Sequence, residues 1–198
     1  MSARPIILAS GSAIRRQLLA AAGIAFTVVP ADVDERAIQL SYDGGAPAEV
    51  ARRLARLKAE AVSKANPSAL VIGADQVLAL GLAIFHKPAG IAEARMHLNS
   101  LRGQTHALHS AVALAENGAA VWETIDVARL TMRDFSNAFL DAYIARAGER
   151  ICQCVGAYEY EGFGLQLFEQ VKGDYFTILG LPMMPLLSEL RARGVMLA

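Results

Sequence analysis

Two periods of apolar positions run through this 198-residue chain. Period-2 or fully apolar runs read as strands, and period-3.6 stripes read as helices. Pro5 to Ala9 is a short apolar run that predicts a buried strand, closed by the small-residue turn Ser10-Gly11-Ser12. Ala13 to Ala22 predicts a helix, with Gly23 where a helix C-terminus favours left-handed backbone. Phe26 to Val29 is a second short strand, Ala31 to Glu35 an acidic loop, and Tyr42 to Ala46 a glycine-containing connector. Pro47 suits the first turn of a long helix to about Asn66. Leu70 to Ala74 predicts a buried strand that ends at Asp75, with Gln76–Leu80 and Ala83–His86 as a hairpin around Gly81. Ile91 to Leu101 has helical spacing. Thr105–Ala115 and Ala119–Met132 read as long strands joined at Asn117-Gly118, a hairpin signal. Ser136 caps a helix ending at Gly148. Ile151–Gly164 and Gly173–Pro182 are irregular, Leu165–Glu169 is a strand and Met183–Arg193 a last helix. Helices and strands intermix throughout, and the central hairpin excludes a purely parallel sheet. The class is therefore α/β or α+β, with an elongated mixed sheet and flanking helices.

The informative residues are those that break this pattern. At about 100° per residue, Val50, Leu54, Leu57 and Ala61 of the long helix fall in one narrow arc, with Arg52, Arg53, Arg56, Glu60 and Lys64 opposite. Lys58 falls between Leu54 and Val62, inside the widened apolar face. Its ammonium must reach water, pair with a carboxylate or meet a ligand. Asp75 terminates an apolar strand, where it either caps a turn or holds a metal or a water. Glu35, beside Asp32 and Asp34, is either a solvated loop residue or a second metal carboxylate. Lys87, before Pro88, is a turn lysine or a phosphate contact. The first strand, its serine turn and the next helix assemble an anion site: Ser10 and Ser12 offer hydroxyls and backbone N–H groups, and Arg15 and Arg16 supply forked donors.

Composition narrows the chemistry. The chain is 54% hydrophobic and 19% charged, as a folded domain is, and nineteen basic residues balance nineteen acidic ones. That balance excludes a broad nucleic-acid coat, so an anion site must come from local concentration of charge. No run looks like a signal peptide or reaches membrane-spanning length. Cys152 and Cys154 do not suggest a secreted disulfide framework and fit a reducing cytoplasm. His106 and His109 have opposite strand parity, and the four histidines give no zinc spacing. Neither a dinucleotide-binding glycine fingerprint nor a Walker A sequence is present.

Over nearly its whole length the chain resembles the Maf family of nucleoside triphosphate pyrophosphatases, named for septum formation. The resemblance rests on Leu8-Ala9-Ser10-Gly11-Ser12 with Arg15-Arg16-Gln17-Leu18-Leu19, then Gly23-Ile24-Ala25-Phe26, Asp34-Glu35, Lys58-Ala59 and Gly73-Ala74-Asp75. It continues through Lys87-Pro88, Leu101-Arg102-Gly103, His106, Gly156-Ala157-Tyr158, Glu161-Gly162, Gly173-Asp174-Tyr175 and Gly180-Leu181-Pro182. Each piece is weak and the ordered set is specific. The resemblance implies one Maf-like domain over residues 1–198, with two lobes around a central cleft, as in inosine triphosphatases. It implies hydrolysis of a nucleoside triphosphate, standard or modified, to monophosphate and diphosphate with Mg²⁺ or Mn²⁺. Ser10, Ser12, Arg15 and Arg16 would bind the triphosphate, Lys58 and Lys87 would neutralise charge, and Glu35 and Asp75 would handle metal and water, Asp75 as proton acceptor. A cytoplasmic homodimer without nucleic-acid or membrane partners is the expected setting.

Three positions bear on the base. The branch that acts on thymidine and uridine triphosphates has Arg, Thr and Gln where this chain has Ile14, Gln76 and Glu161. Asp75-Gln76 and Glu161-Gly162 resemble the branch acting on 7-methylguanosine triphosphate, which has Trp in place of Ile14. An isoleucine cannot stack on a cationic base as an indole does. The alternatives are a 7-methylguanosine triphosphate pyrophosphatase and a non-catalytic nucleotide-binding regulator of cell division.

Overall fold

The computed structural model describes residues 4–40 and 45–196, the side chains of 39 and 40 excepted. The connector expected over Tyr42–Ala46 lies mostly outside the described residues. Among these, the strands are β1 (Ile6–Leu8), β2 (Thr27–Val28), β3 (Leu70–Leu80), β4 (Ala83–Phe85), β5 (Thr105–Glu116), β6 (Ala119–Met132) and β7 (Phe168–Lys172). The helices are α1 (Ala13–Ala21), α2 (Glu35–Leu40), α3 (Pro47–Ala65), α4 (Ile91–Leu101), α5 (Asn137–Ala147), α6 (Tyr175–Ile178) and α7 (Met183–Ala192). The sheet has the order β2-β1-β3-β5-β6-β7, with β4 on β3. β1 runs parallel to β2 and β3, while β4 and β7 are antiparallel to their neighbours, so the sheet is mixed as expected.

The chain divides into two compact units. The first comprises Met1–Gln76, His109–Asp126 and Asp174–Ala198. In it, strand alternation splits the apolar side chains of β1 and β3 between two faces. Ile6, Leu8, Leu70, Ile72 and Ala74 join Leu19, Leu181, Leu186 and Leu190, whereas Ile7, Ala9 and Val71 join Val62 of α3. The ends of α1 follow from local chemistry. Ser12 caps its start by accepting from the Arg15 N–H, and Gly23 at φ 72° ends it as the N–H groups of Gly23 and Ile24 bond back to Ala20 and Leu19. The second unit, Val77–Leu108 with Val127–Gly173, holds α4, α5 and two 3₁₀ turns, at Gly148–Gln153 and Phe163–Leu167. Ser136 caps α5 through the Phe139 N–H, as expected.

Five local expectations change. β3 is one eleven-residue strand, and Asp75 lies in its middle rather than at its end. The polar pair Asp75-Gln76 reads as a break in sequence, yet both flanking runs are buried and the ladder continues to a hairpin with β4. Glu35 opens α2 instead of belonging to a loop, because the Asp34 carboxylate caps that helix through the Ala37 N–H. The strand expected at Leu165–Glu169 starts at Phe168, since Phe163–Leu167 winds into a 3₁₀ turn. The segment after Gly173 contains α6, capped by Asp174. The buried stripe of α3 is also rotated: Val50, Ala51, Leu54, Ala55, Lys58, Ala59 and Val62 are buried, whereas Ala61 is exposed. Lys58 therefore lies within the buried face.

Candidate active site

β3 and α3 bring the central charges together. Residues Val71, Gly73 and Asp75 share one face of β3, toward α3. At Gly73 the approach is closest: a Cβ there would come within 2.2 Å of the Ala55 carbonyl oxygen and 2.6 Å of the Ala59 nitrogen. Only glycine admits α3 so near. Lys58, about one turn beyond Ala55 and next to Ala59, then places Nζ 2.6 Å from Asp75 Oδ1 and 2.7 Å from Glu35 Oε1. Lys58 and Asp75 are 8% and 7% exposed, while Glu35 is 51% exposed, so the cluster is dry at one end and open at the other. Of the alternatives open for Lys58, the structure shows pairing with carboxylates.

Arg15 approaches from the other side. It is buried, and its Nε donates to the Gly180 carbonyl at 2.9 Å. Its Nη1 donates to the Ala74 carbonyl at 2.7 Å and to Ser10 Oγ at 3.1 Å. Ser10 Oγ also accepts from the Ser12 N–H at 3.3 Å, so the turn and the guanidinium brace one another. Arg16, the next residue, is exposed, and Ile14 is half-buried. Burial pushes the Asp75 carboxyl above the usual aspartate range, against the opposing pull of Lys58 and Arg15. Burial also lowers the Arg15 guanidinium, with Asp75 and Glu35 pulling it back. Two cations and two carboxylates thus share one region of the first unit. Such burial of charge is expensive for folding and is concentrated at functional sites.

Lys58 engages one oxygen of each carboxylate. That leaves Asp75 Oδ2 and Glu35 Oε2 for a hard cation, which takes one or two carboxylates and fills its shell with water and phosphate oxygens. The donor set fits a hard divalent cation. Among the described residues, no group of three or more His, Cys, Asp or Glu is placed to hold a metal ion.

Three further sequence candidates are Lys87, Glu161 and Gln76. Lys87 and Glu161 are exposed residues of the second unit. They share a neighbourhood there: burial raises the Cys154 thiol to about 11, Glu159 and Glu161 add to the rise, and Lys87 opposes it. Gln76, next to Asp75 on β3, faces the opposite side of the strand and donates to Ser110, Thr177 and Ile178. Sequence reading missed Ser110, Thr177 and the Gly180 carbonyl. Only the capping pattern at Asp174, ahead of Tyr175-Phe176-Thr177, signals that this segment is ordered.

The model of the Maf-like protein family matches residues 5–193. The chain belongs to that family. The 7-methyl-GTP pyrophosphatase of Rhizobium meliloti (strain 1021) is 49% identical over 191 residues, 96% of each chain. The nucleoside triphosphate pyrophosphatase of Bradyrhizobium diazoefficiens is 52% identical over 188 residues, 95% of this chain and 93% of the relative. A 7-methyl-GTP pyrophosphatase of Brucella abortus biovar 1 is 50% identical, with 94% of each chain covered. Among solved structures, a HAM1 protein from Coxiella burnetii aligns over 66% of this chain and 74% of its own at 18% identity and a TM-score of 0.41, a likeness too loose to define the fold. Maf-like relatives at equal distance thus carry two different names, so identity alone does not choose the base.

Proposed function

We propose that this Maf-like chain hydrolyses nucleoside triphosphates to the monophosphate and pyrophosphate by attack of water at the α-phosphorus. The observation that carries the reading is the buried Asp75 carboxylate, held at 2.6 Å by Lys58 and sharing it with the half-open Glu35. The names of relatives near 50% identity support the same reaction. A carboxyl held above its usual range is a better proton acceptor near neutral pH than an ordinary aspartate. Asp75 orients the attacking water and takes its proton, and Lys58 holds the carboxylate in place. Glu35 and Asp75 would hold the divalent cation, which on binding neutralises phosphate charge and polarises the α-phosphorus. Ser10, Ser12 and the N-terminal N–H groups of α1 face the phosphate chain, while Arg15 and Arg16 offset the charge that grows on the leaving pyrophosphate. Ile14 borders the base.

Purified protein with Mg²⁺ and separate nucleotides tests this: monophosphate plus pyrophosphate supports it, and diphosphate plus orthophosphate overturns it. A narrower reading, a 7-methyl-GTP pyrophosphatase, is favoured by the relatives that bear that name at 49–51% identity. Including 7-methyl-GTP in the panel decides between them. A protein that binds nucleotide tightly without turnover would instead be a regulator. By resemblance to the family, a cytoplasmic homodimer is part of the proposal. Light scattering on the eluted protein checks the dimer.

A further inference from the structure

Lys58 occupies the ground between the two carboxylates of the first unit. Its Nζ lies 2.6 Å from Asp75 Oδ1 and 2.7 Å from Glu35 Oε1, and only 8% of its side chain is exposed. Arg15 is buried next to Asp75, where it donates to the Ala74 carbonyl at 2.7 Å. Two buried cations therefore face two carboxylates, and the four charges sum to zero before anything binds. An ammonium at hydrogen-bond distance from both acids is itself a bound cation, carried by the chain rather than by the solvent. A divalent cation arriving alone would find the carboxylate charge already compensated. It would meet Lys58 and Arg15 as like charges, in a place where burial weakens screening. A triphosphate arriving alone would meet the two cations and also the two carboxylates. The complex of cation and triphosphate stays an anion and brings a partner for each group. Its metal suits the carboxylates, and its phosphate oxygens suit Lys58 and Arg15.

We propose that Lys58 is a resident counter-ion that keeps bare metal out of this site, so that the chain takes its substrate as the metal–triphosphate complex. The inference rests on the pyrophosphatase reading and deepens it by naming the form of the substrate. The root of the side chain is fixed, because α3 packs directly on β3 at Gly73, where a Cβ would meet the Ala55 carbonyl oxygen at 2.2 Å. Its four-carbon stem still lets the ammonium turn from carboxylate to phosphate. By linkage, the triphosphate then raises metal affinity by the factor by which metal raises triphosphate affinity.

The test is a Mn²⁺ titration without nucleotide, read by electron paramagnetic resonance, on the wild type, Lys58→Met and Lys58→Gln. Methionine removes the charge and the donors, whereas glutamine removes the charge and keeps N–H groups for the carboxylates. The wild type should bind Mn²⁺ weakly and both variants about tenfold tighter or more, as removal of an adjacent buried charge implies. Adding Glu35→Gln to Lys58→Met should erase the gain. Mn²⁺ should also raise the Tm of Lys58→Met more than that of the wild type, since a ligand stabilises the protein that binds it better. Equal or weaker Mn²⁺ binding by the neutral variants overturns the proposal, and so does a gain that survives the loss of Glu35. A merely structural lysine gives the weaker binding, because its removal loosens both carboxylates. If the wild-type protein turned over no nucleotide, the pyrophosphatase reading would fall alone. The titrations contain no nucleotide and would still decide whether Lys58 holds metal out. Should the methionine variant not fold, the glutamine variant carries the titration, alone and with Glu35→Gln.

Discussion

Each unit of this molecule buries polar groups, and they do so in opposite ways. In the first, Lys58, Asp75 and Arg15 are buried as ions that rely on one another. In the second, His106 of β5 is equally buried but neutral: its Nε2 lies 2.8 Å from Tyr158 Oη, Nδ1 has no hydrogen-bond partner, and the rings of Tyr158 and Phe168 pack around it. Burial alone pulls His106 down to about 4, and burial, with Cys154 and Tyr143 adding to it, pushes Tyr158 well above its ordinary value, so neither carries charge at neutral pH. The second arrangement is what a core does with polar groups when only packing is at stake. The first keeps charge in a dry place, which folding does not favour, and that is the physical sign of a site kept for its chemistry.

The contrast breaks most sharply at Asp75. Asp75→Asn keeps shape but cannot take a proton, and turnover should fall by about a hundredfold to ten-thousandfold, the range of a general base, with unchanged circular dichroism. Near-normal pyrophosphate release would remove Asp75 from the reaction. In the metal-free wild type, the Asp75 carboxyl should titrate above the ordinary aspartate range, because burial raises it, and carbon NMR of the side chain checks this.

Lys58→Met leaves two carboxylates without their cation. Removing one partner of a buried pair costs about 3–5 kcal/mol, lowered here because Glu35 is half-exposed. Urea titrations should show that deficit at neutral pH and its recovery as the pH falls and Asp75 protonates. A pH-independent deficit would mean lost packing rather than stranded charge.

His106 predicts the reverse slope. Its folded value, about 4, lies below its unfolded one, so the unfolded chain takes up the proton first and stability is lost as pH falls from about 6.5 to 4. The loss is on the order of 3 kcal/mol at most. His106→Phe should flatten that part of the curve, and an unaltered curve would assign acid sensitivity elsewhere.

Gly73→Ala is the smallest change and sharpens the link between packing and charge. The added methyl meets the backbone of α3, so the helix must shift, at about 1–3 kcal/mol. Because Lys58 rides on that helix, kcat should fall more than KM rises. Lost stability with unaltered kcat would separate the close approach from the ion pair.

Elements with local signals were legible in the sequence. Pro47, Gly23, Ser136 and Asn117-Gly118 each carry their own backbone preference, and the structure puts helix ends or turns at each. Lys58 and Asp75 stood out because a charge in an apolar pattern is visible without a partner in view. What was not legible depends on distance along the chain. Asp75-Gln76 looked like a strand end because nothing local says that both flanking runs belong to one ladder. The acceptors of Gln76 lie 34, 101 and 102 residues away, and the Gly180 carbonyl that holds Arg15 is 165 residues from it. Leu165–Leu167 misled for a different reason, since an apolar stretch of 3₁₀ turn has the same composition as a strand.

Hydrolysis of a nucleoside triphosphate in ¹⁸O-enriched water probes the chemistry itself. With Asp75 delivering water to the α-phosphorus, the heavy oxygen should appear in the nucleoside monophosphate and the pyrophosphate should stay unlabelled. Heavy oxygen in pyrophosphate or orthophosphate would place the attack at another phosphorus and contradict the assignment.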